Sequence, residues 1–97
     1  MLIRVRDYTN SPFPILYDGD KIYNVIDQAW YTCSHITLSF RNIEIAPTSF
    51  LNNAIGRLYS KYASANIKDK LKVVDADQDI LANIKIVTDN AKVQFNM

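Results

Sequence analysis

A chain of 97 residues fits one domain with one core, and leaves little area for a deep substrate cleft. Its 48% apolar content, including four Phe, six Tyr and one Trp, excludes disorder as the ground state, and a formal charge of +1 gives no net attraction to phosphate backbones or acidic membranes. The lone cysteine, Cys33, cannot form an internal disulfide, and with the lone histidine, His35, it cannot by itself assemble a metal site.

In chain order, residues 2–7 alternate Ile3 and Val5 against Arg4 and Arg6, the period of a strand with one wet face. Residues 9–14 then break regular structure with Pro12 and Pro14, and residues 13–17 are expected to form a short extended piece. From Asp18 the period becomes helical through Ile22, Val25, Ile26, Ala29, Trp30 and Cys33, with Asp18 or Asp20 as the cap. Ile36, Leu38 and Phe40 alternate with Thr37 and Ser39 as a second strand, and Ile43 and Ile45 suggest a further short one.

Pro47-Thr48-Ser49 opens the clearest helix of the chain. Its apolar stripe runs Phe50, Leu51, Ala54, Ile55, Leu58, Tyr59 and Tyr62, with Asn52, Asn53, Arg57, Ser60 and Lys61 opposite. Residues 71–74 read as a buried strand, and residues 75–79 supply N-caps for a last helix carrying Ile80, Leu81, Ile84 and Val87. The tail at residues 92–95 alternates, and its pattern fits both a strand and a helix end. The expected order is therefore β-α-β-α-β-α in a single domain over residues 1–97, an α/β fold with helices on a small, largely parallel or mixed sheet. The N-terminus lacks the apolar run of a signal peptide and no stretch is long enough to span a bilayer, so a cytoplasmic location is expected.

Few residues here carry chemistry. Cys33 and His35 lie two apart at a helix-to-strand junction, where they need not face each other, so a thiolate–imidazole pair is not expected. Asp75, Asp77 and Asp79 read as helix-start acids before they read as a cation site. Gly19 and Gly56 are too isolated to cradle a phosphate, and no cofactor motif is present. Tyr59 and Tyr62 flank Lys61 as base-stacking residues would, yet their spacing places them on the core stripe. Basic residues are scattered apart from a mild cluster at Lys68, Lys70 and Lys72, so neither nucleic acid nor membrane is an expected partner.

Thr48 and Ser49 have two readings. A hydroxyl at a helix start accepts a bond from a free first-turn N–H, worth about 1 kcal/mol, and Pro47 suits that position because it has no N–H to leave unpaired. A phosphate on Ser49 would also be tolerated at the positive helix end while disrupting a docked surface. Phe50 is most simply core; an exposed Phe50 would instead anchor an interface.

The segment from Ile36-Thr-Leu-Ser-Phe through Pro47-Thr48-Ser49-Phe50 to Gly56-Arg57-Leu58-Tyr59 resembles a STAS-like family of unknown function, related to the STAS domains of bacterial anti-sigma-factor antagonists. Leu71-Lys-Val-Val followed by an acidic helix start is similar to the same family. In the antagonists the corresponding turn reads Asp-Ser-Ser-Gly, and one serine is phosphorylated by a kinase that is also an anti-sigma factor. Aligning Gly56-Arg57 on their Gly-Arg puts Ser49 at the phosphoacceptor and Thr48 at the preceding serine, with Pro47 in place of the acid and Phe50 in place of the glycine. The resemblance implies a non-enzymatic bacterial regulator that docks onto a protein, by analogy an ATPase of the histidine-kinase/Hsp90 type. The contact surface it implies comprises Thr48, Ser49, Phe50, Asn52, Asn53 and Arg57. The sequence leaves homodimerisation open, and the competing classes are a small enzyme and a nucleic-acid-binding accessory protein without a recognisable motif.

Overall fold

Three strands, each of three or four residues, pair in the order β1-β2-β3, all parallel, in a computed structural model that describes residues 1–95. They are β1 (Leu2–Arg4), β2 (Ile36–Ser39) and β3 (Leu71–Val74). Between and after them lie α1 (Leu16–Ala29), α2 (Thr48–Ala54), α3 (Ser64–Lys70) and α4 (Gln78–Phe95), with 3-10 turns at Val5–Tyr8 and Gly56–Ser60. Ile3 pairs with Leu38 and Leu38 with Val73, so these side chains share one face; Leu2, Thr37 and Lys72 share the other.

Both crossovers step the same way across the sheet, and crossovers of the usual right hand then lie on the same face. Burial agrees. Ile3, Ile36 and Leu38 are buried beneath the helices, whereas Leu2, Arg4 and Lys72 are exposed. The core continues through Ile22 and Ile26 of α1, Phe50, Leu51 and Ala54 of α2, Leu58, and Ile80 and Val87 of α4. No described helix is long and apolar enough to cross a membrane.

The mixed α/β class is as expected, but the element order is not β-α-β-α-β-α. The single helix expected after Pro47 ends at Ala54, becomes a 3-10 turn at Gly56–Ser60, and is followed by a separate α3 before β3. Gly56 lies close against α4: a Cβ there would stand 3.3 Å from Val87 Cγ1. The first strand stops at Arg4, where pairing with β2 ends, although Val5 stays buried in the following 3-10 turn. Residues 13–17 are not a strand, since Leu16 already opens α1. Asp18 does not occupy the cap position. It sits in the first turn, and its carboxylate accepts the Ile15 N–H at 2.9 Å, the third-position half of a capping box.

Ile43 and Ile45 form no strand either. Asn42 adopts φ 64° and turns the chain, the Ile43 N–H returns to the Phe40 carbonyl at 3.0 Å, and the Glu44 N–H donates to Pro12 O at 2.9 Å. The tail is helix: α4 runs to Phe95. Its cap is Asp77, whose carboxylate accepts the Ile80 N–H at 2.8 Å.

Candidate functional site

In a parallel α/β unit every helix that follows a strand starts at the carboxyl edge of the sheet, which is where such folds present their sites. The starts of α1, α2 and α4 meet that edge here. Ser39, buried at the end of β2, donates to Asp75 Oδ2 at 2.8 Å and accepts the Arg41 N–H at 3.3 Å, tying the ends of β2 and β3 together. Asp75 holds φ 57°, a conformation that an aspartate tolerates better than most residues.

Thr48 and Ser49 are the first two residues of α2, and both are exposed. Their hydroxyls do not cap the helix. Pro47 itself takes the cap position with φ −65° and ψ 154°, and its carbonyl accepts the Leu51 N–H at 3.0 Å. The helix therefore begins one residue earlier than a hydroxyl cap requires. Neither hydroxyl has a hydrogen-bond partner among the described residues.

Phe50 leaves the expected contact surface. It is 0% exposed, packed in the core, and has no side-chain surface to offer a partner. The polar side of α2 is not a free solvated face either, because it lies along α1. Asn53 Nδ2 donates to Leu16 O at 3.1 Å, and Arg57 donates to Asp20 at 2.8 Å with its guanidinium 4.1 Å above the Tyr23 ring. Lys61 bonds Asp27 at 2.9 Å. These contacts advance together along both chains, so α1 and the α2 segment run side by side in the same direction. Gly19 permits the approach: a Cβ there would lie 2.6 Å from Phe50 O and from Asn53 Cβ. Asn52 remains exposed, and Arg57 is exposed although held.

The loops that lead into α1 and α2 expose large apolar side chains. Phe13 is 49% exposed, Ile15 59%, Tyr17 70% and Ile45 56%. The Glu44–Pro12 bond ties the loop bearing Ile45 to the loop bearing Phe13 and Ile15, and the Asn53–Leu16 bond ties that second loop to α2. Ser49 is one turn before Asn53 on the same helical face, so it points toward this cluster. The available signal was a breaker-rich loop loaded with bulky apolar residues and no helical period to bury them.

At the far end of the α1–α2 seam the contacts are tight. Tyr62 stacks on Trp30 with ring centroids 4.0 Å apart and donates its hydroxyl to Asp27, while Lys70 bonds the Trp30 carbonyl. The Tyr62 hydrogen bond, reinforced by Lys61, holds the Asp27 carboxyl below its usual range. Burial, then the bond to Asp27, pushes the Tyr62 phenol well above its usual range. Trp30 covers one face of Tyr62 and the residue is only 8% exposed, so little of the ring is open to stacking.

The other constellations do not come together. Cys33 Sγ lies 3.9 Å from Met1 Sδ, whereas His35 is exposed and its backbone carbonyl accepts the terminal ammonium at 3.0 Å. Asp75 and Asp77 are engaged by Ser39 and by the Ile80 N–H, and among the described residues no three His, Cys, Asp or Glu side chains gather as a metal site would require.

No match appears among curated proteins or among solved structures. The profile of the family described as "STAS-like domain of unknown function (DUF4325)" matches residues 18–81, from the first turn of α1 into α4. That span is more than half of the chain and takes in β2, the α2 start, β3 and the Asp77 cap, and the chain therefore belongs to this STAS-like family.

Proposed function

We propose that the chain is a non-enzymatic regulatory or adaptor domain that works by binding another protein at the start of α2. The observation that supports this reading is the pair of exposed hydroxyls of Thr48 and Ser49, without hydrogen-bond partners among the described residues, on a helix tied to a loop and an α1 start that expose Phe13, Ile15 and Tyr17. Large exposed aromatic and aliphatic side chains at a polar rim are the composition of a contact surface. Asn52 and Asn53 extend that rim.

Ser49 is the switch in this proposal. A phosphate there carries nearly two negative charges at neutral pH, disturbs no internal bond of α2, and sets a charge against an apolar contact. By family analogy the partner is an ATPase of the histidine-kinase/Hsp90 type, and the setting is bacterial signalling in the cytoplasm.

The test is calorimetric titration of the chain against the ATPases of this type from its own host. Ser49→Glu and Tyr17→Asp should each weaken binding about tenfold or more, with the melting temperature unchanged within a few degrees. Equal affinity for Ser49→Glu removes the switch. No binding by the unsubstituted chain removes this class of partner.

A further inference from the structure

A cleft of about 430 Å³ opens between α3, β3 and α4, within the range of small-ligand sites, roughly 300–1,000 Å³. Its floor is apolar, formed by Ile55, Leu71, Val73 and Ile84. Lys68 on α3 and Lys92 on α4 both line it, and neither is paired with a carboxylate among the described residues. Asp89, the nearby acid on α4, is already held by Lys85 at 2.9 Å.

The chain direction orders these groups. β3 runs from Leu71 to Val74, and α4 returns antiparallel to it from Ile84 through Thr88 to Lys92. Two strand residues and four helical residues both advance by about 6 Å, so the spacing of Ile84 and Thr88 on α4 matches that of Val73 and Leu71 on β3. Lys92 then falls beyond Leu71, at the amino edge of the sheet, and Lys68 lies there too, three residues before β3 begins. The cleft is apolar toward one end and cationic at the other.

We propose that this cleft binds an amphipathic carboxylate, a straight acyl chain of medium length whose head group lies between Lys68 and Lys92. The apolar floor takes the methylenes, and two ammonium groups that are unpaired among the described residues neutralise the carboxylate. The site lies at the sheet edge opposite Thr48 and Ser49, so it is separate from the docking surface.

The experiment titrates hexanoate, octanoate and decanoate against the full chain, below their micelle thresholds, with octan-1-ol as the uncharged comparison. Affinity should rise roughly fourfold per added methylene until the cleft is filled. Lys68→Gln with Lys92→Gln, both surface changes, should weaken octanoate binding about tenfold and leave octan-1-ol binding unaltered. Ile84→Trp should block both ligands while the circular dichroism spectrum stays native. Absence of saturable binding, affinity independent of chain length, or indifference to both lysines would each overturn the proposal. Tighter binding of a peptide ending in apolar residues than of octanoate would do so as well. None of these variants touches the α2 start, so failure here leaves the docking proposal standing.

Discussion

The two ends of the α1–α2 seam differ in how completely their side chains are committed. At the end nearest Trp30, Asp27 accepts from both Lys61 and Tyr62, Tyr62 stacks on Trp30, and Lys70 closes on the Trp30 carbonyl. At the α2 start, Thr48 and Ser49 have no such partners among the described residues, and Tyr17 and Ile15 stand in solvent. A small domain has little stability to spare. It gains rigidity where polar groups are paired and apolar ones stacked, and it keeps surface available where they are not. Phe50 sits between the two regimes, one residue from the free hydroxyls and yet in the centre of the core.

Phe50 gives the strongest way to break that contrast. Phe50→Ala should cost about 3–5 kcal/mol, the usual penalty for emptying a buried aromatic site. Urea denaturation followed by tryptophan fluorescence measures it. A loss below about 1 kcal/mol would mean that the ring contributes to the surface and not to the core, and the boundary between the two regions would have to move inward.

Tyr62→Phe tests the committed end. The hydroxyl bond to Asp27 is charge-assisted but partly exposed, so its loss should cost about 1–2 kcal/mol at neutral pH. The pH profile sharpens the assignment. Asp27 is held below its ordinary 3.8, so its contribution is complete above that value and is lost as acid takes the pH down through the folded-state value. Tyr62 is held above its ordinary 10.0, so its contribution is complete below that value and is lost as base takes the pH up through the folded-state value. The gap between variant and parent should therefore be widest between pH 3.8 and pH 10.0, begin to narrow outside those values, and close as the pH passes the folded-state values. A gap that does not change with pH would show that the ring's packing, and not the hydroxyl bond, was lost.

Sequence pattern carried the fold where burial is periodic. Ile22 and Ile26 mark α1, and Ile36 and Leu38 mark β2, because each element buries one regular stripe. It failed for α3, which buries Ile67 alone among seven residues and so has no period to read. It failed again at Ile55–Gly56, because Leu58, Tyr59 and Tyr62 still fit a helical stripe after the chain has tightened into a 3-10 turn. Ile43 and Ile45 alternate like a strand, but the left-handed turn at Asn42 takes the chain out of the sheet, leaving Ile43 in the core and Ile45 exposed. The helix start was legible in Pro47-Thr48-Ser49; the exposed apolar side chains of the neighbouring segments were not, since exposure of Tyr17 and Ile45 depends on which loops meet.

The smallest expected effect is the most informative about the uncommitted end. If Thr48 or Ser49 capped α2, replacing it by alanine would cost about 1 kcal/mol. Pro47 holds the cap position instead, and both hydroxyls face solvent, so Thr48→Ala and Ser49→Ala should each shift stability by less than about 0.5 kcal/mol. Paired denaturation curves against Asp77→Ala, which removes a real cap at α4 and should cost about 1 kcal/mol, supply the scale. Should Ser49→Ala match Asp77→Ala, the hydroxyl is structural, and a phosphate on it would unseat the helix before it reached any partner. Should it match the unsubstituted chain, the side chain is free of the fold, which is the condition a surface switch must meet.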